Sequence, residues 1–304
     1  MKFAVASSLL LAGLAAAAPL TEKRMARRAA GSRRSNPAYV PGAFGTELLN
    51  ITQSTREVEY SENWAGAVLV GTGYTAVSAE FTVPTPSAVG LGIGQFCAAA
   101  WVGLDGDTCD TSILQTGVDF CIDDGDVSYD AWYEWYPDYA YDFSGITIQA
   151  GDVIKISVVA DSKASGVATV ENVSRGKTVT HTFLAESDEL CEWNAEWIVE
   201  DFEEGSSLVN FADFGTVTFT DCEATKDDDT VDTSGAVIMD IEQDETVLTS
   251  VTASGSTVIV NILSMSHQQP KVPVRQKASK IENGMHREFV LAAVQFHKLP
   301  GTYK

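Results

Sequence analysis

Ile113-Leu114-Gln115-Thr116-Gly117-Val118-Asp119-Phe120 is the stretch that decides the fold. In a strand, successive side chains alternate between faces. Leu114, Thr116, Val118 and Phe120 therefore share one side, and Ile113, Gln115, Gly117 and Asp119 the other. The first set belongs against a core, and Gln115 and Asp119 then project from the opposite face, toward a cleft or toward solvent. Outward from this stretch, short segments of the same kind recur at 64–70, 77–83, 98–104, 129–136, 154–160, 168–172, 178–183, 196–202, 217–219, 237–241, 247–250 and 256–262. They are enriched in β-branched or aromatic residues, and clusters of Gly, Asp, Ser and Pro separate them. No window carries a helical stripe. The reading is all-β, an antiparallel sandwich or a closed barrel, and about 200 residues suit one such domain.

The two ends have a different character. Lys2 precedes an apolar run that closes on Ala15, Ala16 and Ala17 before Ala18-Pro19. Residues 1–17 read as a secretory signal peptide, too short to span a bilayer, which places the protein outside the cell. Residues 18–58 read as a basic propeptide, with paired basics at Lys23-Arg24, Arg27-Arg28 and Arg33-Arg34. An acidic domain over 59–263 follows, then an atypical basic tail over 264–304 to which no catalytic role is given. Residues 59–264 hold five basic and 37 acidic side chains, a net of −32, against +5 over 1–58 and +5 over 265–304. Such a body makes a poor partner for nucleic acid or an anionic membrane. Its carboxylates would protonate near pH 4, so the scarcity of Lys and Arg points to an acid working environment.

The possible chemistries narrow by elimination. Five cysteines in an exported chain (Cys97, Cys109, Cys121, Cys191, Cys222) read as a disulfide framework with one left over, and their spacing fits no zinc site. A serine or cysteine hydrolase needs a histidine base, and the acidic domain offers only His181, inside a Thr-rich strand pattern where a structural role is expected. There is no phosphate-cradling loop, no dinucleotide fingerprint and no Asp-Thr-Gly motif, so no cofactor and no metal are expected. Carboxylate, amide and aromatic chemistry remains. It concentrates in three runs. Trp101 to Asp107 leads on to Gln115 and Asp119. In the run 130–137, Trp132, Glu134 and Tyr136 share a face, as a substrate floor or a packed strand. In 194–202, Glu196, Ile198 and Glu200 share a face, with Trp197 and Val199 opposite, on either an exposed edge strand or a buried site.

Together, Asn63-Trp64-Ala65-Gly66-Ala67-Val68 and the runs 113–119, 131–137 and 194–202 resemble the glutamic peptidases (eqolisins), a likeness covering nearly all of residues 1–262. The resemblance implies a concanavalin-like or jelly-roll-like β-sandwich of two long, curved antiparallel sheets whose concave face binds peptide. It implies a secreted acid endopeptidase made as a zymogen, with Glu200 as general base and acid and Gln115 as oxyanion stabiliser. It places Trp64, Trp101, Asp105, Asp119, Trp132 and Glu134 near the substrate, and pairs Cys97 with Cys121 and Cys109 with Cys191. Cys222 and the tail after Ile262 depart from the family pattern. The expected partners are polypeptide substrates and the chain's own propeptide as inhibitor, with the enzyme monomeric. A jelly-roll glycoside hydrolase using Glu134 and Glu200 is the alternative.

Overall fold

The structure, a computed structural model, describes residues 33–38, 58–90 and 94–263, all within one compact unit. The expected signal peptide, the expected propeptide over 18–58 (the leader) apart from residues 33–38 and 58, and the tail over 264–304 lie outside the described residues.

Two β-sheets pack face to face, as expected of a sandwich. The first runs from edge to edge through Thr246–Val247, Val237–Gln243, Trp64–Val70, Asn194–Glu200, Gln95–Leu104, Ile113–Asp123, Asp126–Tyr136 and Tyr141–Asp142. The second runs through Lys177–Phe183, Ser165–Asn172, Val153–Ser162, Tyr74–Thr82, Thr216–Lys226, Thr257–Ile262 and Thr249–Ser254. Pairing along both paths is antiparallel. Alternation explains how the layers meet. Ala98, Ala100, Val102, Leu104, Leu114, Val118 and Phe120 turn inward from the first sheet to meet Phe81, Ile154, Ile156, Val158, Val217 and Phe219 of the second. Each large side chain so buried contributes about 1.5–3 kcal/mol.

The opposite face of the first sheet is also covered. Trp64, Val68, Trp101, Ile113, Trp132, Ile198 and Phe202 form a second apolar cluster there. The Asn194–Glu200 strand settles one open choice, because it is no exposed edge: it lies between Trp64–Val70 and Gln95–Leu104 and is buried along its whole length. Other boundaries moved. The segment read as 217–219 extends over Thr216–Lys226, where a register shift between Thr220 and Glu223 breaks the alternation that pattern reading relies on. The segment read as 196–202 ends at Glu200, and 247–250 divides into Thr246–Val247 and Thr249–Ser254. Arg33–Arg34 of the leader forms a strand that was not expected, paired with Glu203–Glu204.

Both disulfides pair as the resemblance implied. Cys97 and Cys121 bridge opposed residues of adjacent strands. Cys109–Cys191 ties two loops across a sequence separation of 82, a long closure of the kind that most constrains the unfolded chain. Cys222 is free and buried, and burial pushes its thiol up to about 12, which leaves it inert.

Candidate active site

Strand register brings together residues that are far apart in the chain. On the outer face of the first sheet Gln115 lies opposite Gly103 on one side and Glu134 on the other. Gly103 in turn lies opposite Glu196, and Glu200 opposite Ala99 and Trp64. Gln115, Glu134, Glu196 and Glu200 are all fully buried. Gly103 makes the crowding possible, because a Cβ there would fall 2.7 Å from Glu196 Oε1 and 2.7 Å from the Trp101 ring. Trp101 Nε1 donates to Glu200 Oε2 at 3.0 Å, and Trp64 meets the Trp101 ring edge-on at a centroid distance of 4.9 Å.

Across this face lies the leader segment 33–38. Its backbone is held at nearly every position. Ala140 N–H donates to Arg33 O at 3.2 Å, and Ser35 N–H to Glu134 Oε2 at 3.1 Å. Gln115 Nε2 donates to Ser35 O at 3.4 Å, while Asn36 N–H donates to Glu200 Oε1 at 3.2 Å. Trp64 Nε1 donates to Asn36 O at 3.0 Å, Asn63 Nδ2 to Pro37 O at 3.2 Å and Ala38 N–H to Gly106 O at 3.0 Å. The Arg33 guanidinium is fully buried, pairing with Asp119 at 3.1 Å and Glu134 at 3.2 Å. It also donates to Ser35 Oγ at 2.6 Å and lies 4.1 Å from the Trp132 ring centroid and 4.4 Å from that of Phe202.

Of the residues singled out from sequence, Trp64, Trp101, Gln115, Asp119, Trp132, Glu134 and Glu200 therefore meet at one place. Asp105 does not reach the leader by any described hydrogen bond. Its carboxylate accepts N–H bonds from Glu192, Trp193 and Asn194 at 2.9, 2.7 and 3.2 Å, and holds the loop that leads into the Glu200 strand. Asn63, Phe202 and the leader residues Arg33 to Ala38 are the contributors that sequence reading did not single out. For Asn63 and Arg33 there were signals, the first as neighbour of Trp64 and the second as half of a basic pair. His181 stacks on Tyr133 at 3.9 Å, away from the cleft residues, as a structural strand histidine would.

Burial dominates the electrostatics. It pushes the Glu200 carboxyl up to about 7, against the opposing pull of Arg33, the Ser35 hydroxyl, Asn36 N–H and Trp101. Glu134 is pushed up by burial too, with Arg33 and the Ser35 N–H resisting and the Glu200 charge adding to the rise. Burial, with Asp105 and Asp107 nearby, also raises Glu196 well above the ordinary carboxyl range, and neither of its oxygens has a hydrogen-bond partner among the described residues. Clustered carboxyls displaced by burial and a specific charge partner mark a functional cleft. Here the face combines a carboxyl, a non-titrating amide and an apolar floor, the elements that bind an extended backbone and move a proton along it.

Comparison with known proteins fits this geometry. The chain is 59% identical to aspergillopepsin-2 of Aspergillus niger over 281 residues, 86% of this chain and 99% of the relative. It is 44% identical to scytalidopepsin B of Scytalidium lignicola over 269 residues, 85% and 98% of the two chains. The crystal structure of scytalido-glutamic peptidase with a transition state analog inhibitor superposes with a TM-score of 0.62 at 46% identity, covering 66% of this chain and 98% of that one. The model of the Peptidase A4 family matches residues 62–262, which hold both sheets, and with these relatives it establishes that the chain belongs to the Peptidase A4 family.

Proposed function

We propose that the chain is a secreted acid endopeptidase, made as a zymogen, in which Glu200 and Gln115 hydrolyse peptide bonds. The observation that carries this reading is the burial of Glu200 and Gln115 on one sheet face under an extended peptide segment. The relatives' names, aspergillopepsin-2 and scytalidopepsin B, and the glutamic peptidase solved with a transition state analog support it. Two disulfides suit export.

Each group has a step. Glu200, ionised once the leader no longer buries it, takes a proton from water as the oxygen attacks the scissile carbonyl carbon. Gln115 Nε2 donates to the oxyanion that forms, and Glu200 then delivers its proton to the leaving amine. Glutamine suits acid conditions because it does not titrate and keeps its donor at every pH. Glu134 accepts a peptide N–H and pairs with Arg33, which fits backbone binding and gives no support to a sugar-cleaving pair with Glu200. Incubation with denatured protein at pH 3 and pH 7 tests the reading: rapid digestion is expected at pH 3, and intact substrate at both would remove it.

The leader acts as the inhibitor, and Arg33 is its anchor. Arginine keeps its charge at every accessible pH. Buried as it is, it needs an ionised neighbour among Asp119, Glu134 and Glu200. Once acid protonates these, the guanidinium is left uncompensated at a cost of about 3–5 kcal/mol, and the leader is released. A synthetic peptide of residues 18–58 should inhibit the mature enzyme, and Arg33→Ala in that peptide should weaken inhibition about 100-fold or more. Arg56→Ala is the control for net charge. Equal losses from both substitutions would reduce the leader to a diffuse polycation.

A further inference from the structure

We infer that the Ser35–Asn36 peptide bond is the chain's own first cleavage site, cut in place by the Glu200 and Gln115 pair that holds it. The inference rests on the peptidase reading above and deepens it by naming the first bond attacked.

The two catalytic side chains flank one and the same peptide unit. Gln115 Nε2 reaches the Ser35 carbonyl oxygen at 3.4 Å, and the N–H of the next residue, Asn36, reaches Glu200 Oε1 at 3.2 Å. The amide donor therefore lies where negative charge grows on attack. The carboxyl lies against the nitrogen that must be protonated to leave. The unit is fixed from both directions along the chain, by Ser35 N–H on Glu134 before it and by Trp64 Nε1 on Asn36 O after it. The ends of the segment are tied by Arg33 O to Ala140 N–H and by Ala38 N–H to Gly106 O. Shifting the segment by one residue either way would put Pro37, which has no N–H, where Asn36 or Ala38 donates, and would take the Arg33 guanidinium from Asp119 and Glu134, so this register presents this bond and not its neighbours. Gln115 Oε1 accepts no hydrogen bond among the described residues, which leaves an acceptor for the attacking water beside the carbonyl that its Nε2 polarises. Holding reacting groups in place is worth several orders of magnitude in rate, and here the fold supplies that placement for a bond of the same chain.

The step balances with water alone. Water oxygen bonds to the Ser35 carbonyl carbon as one proton passes to Glu200. The bond from that carbon to Asn36 N then breaks, and the proton passes from Glu200 to the nitrogen. The products are a carboxyl terminus at Ser35 and an amino terminus at Asn36. Arg33, with its guanidinium between Asp119 and Glu134, leaves on the released fragment.

The test follows the first new terminus of the full chain. Burial under the leader brings Glu200 up to about 7, so the chain is incubated over a series from pH 4 to pH 7. Aliquots are quenched early and read by intact mass and amino-terminal sequencing, at several concentrations. The expected first product begins at Asn36, and its rate constant is unchanged on 30-fold dilution. Asn36→Pro removes the N–H that meets Glu200, and should abolish that terminus and delay activation at least tenfold. Glu200→Gln in the full chain should leave Ser35–Asn36 intact. A first terminus elsewhere, or a cut at Asn36 whose rate scales with concentration, would overturn the inference while digestion of added denatured protein still upheld the peptidase reading. No digestion of added protein at any pH would remove both.

Discussion

Glu200→Gln is expected to lower kcat/KM on denatured protein about 10²–10⁴-fold, the share general acid–base catalysis supplies. Gln115→Ala is expected to lower it about 10²–10³-fold, the effect of losing one oxyanion donor. Glu200 and glutamine have the same shape, so the substitution should not disturb the fully buried packing of the sheet at pH 4. Far-ultraviolet circular dichroism and the thermal midpoint at that pH should match the parent. Glu196→Gln is the control. It occupies the same face of the same strand, and its carboxyl is held beside Gly103 and Asp105, with no hydrogen bond to the leader among the described residues. It should keep most of its activity. More than a tenth of the parent rate in Glu200→Gln would take that residue out of the reaction, and loss confined to Glu196→Gln would move the role to the other acid.

That choice between acids shows where sequence reading stops. Alternation puts Glu196 and Glu200 on one face and cannot separate them, since two residues four apart in a strand point the same way. Only the resemblance distinguished them. The geometry adds a physical difference: Glu200 meets Trp101 and a peptide N–H, while Glu196 lies beside two other acids and a glycine. The run around Gln115 was legible because its inward positions, Leu114, Val118 and Phe120, are apolar and every second residue repeats the choice. The whole face around Glu134 could be read the same way, but not which strand would lie beside it, since register is set by long-range pairing. The leader segment was opaque for another reason. Arg33 to Ala38 has no periodicity of its own, and its extended shape comes from donors and acceptors contributed by residues 26 to 164 positions away. A basic pair in sequence says that charge will be met somewhere. It does not say that Arg33 will be buried between two carboxylates while Arg34 rests over Tyr139.

The same buried acids make stability depend on pH, and here the expected effect is large. Glu196 is raised well above the ordinary carboxyl range by burial and by Asp105 and Asp107. Burial and the charge of Glu200 push Asp201 up to about 8 despite the Gln243 amide at 2.8 Å, and Asp107 is brought up to about 7 by burial and Glu59. In each case the folded protein holds the proton more tightly than the unfolded chain does. The stabilisation is complete below about pH 4, where the unfolded carboxyls are protonated as well, and is lost as pH rises from there through the folded values near 7 to 8. Each such acid acts on a net stability that is only about 5–15 kcal/mol for an ordinary domain, so their combined effect should be easy to read. The thermal midpoint should therefore be highest near pH 4 and fall steeply between pH 5 and pH 9. Glu196→Gln removes one ionisable proton while keeping the shape of the side chain. It should leave the midpoint at pH 4 within a degree or two and raise it at pH 8 by at least about 5 °C. Calorimetry across the range decides the matter. A midpoint that stays level from pH 4 to pH 8, or a Glu196→Gln variant that tracks the parent at both ends, would mean that these carboxyls reach solvent well enough to ionise without cost. Stability would then have to be traced to the apolar layer between the sheets alone.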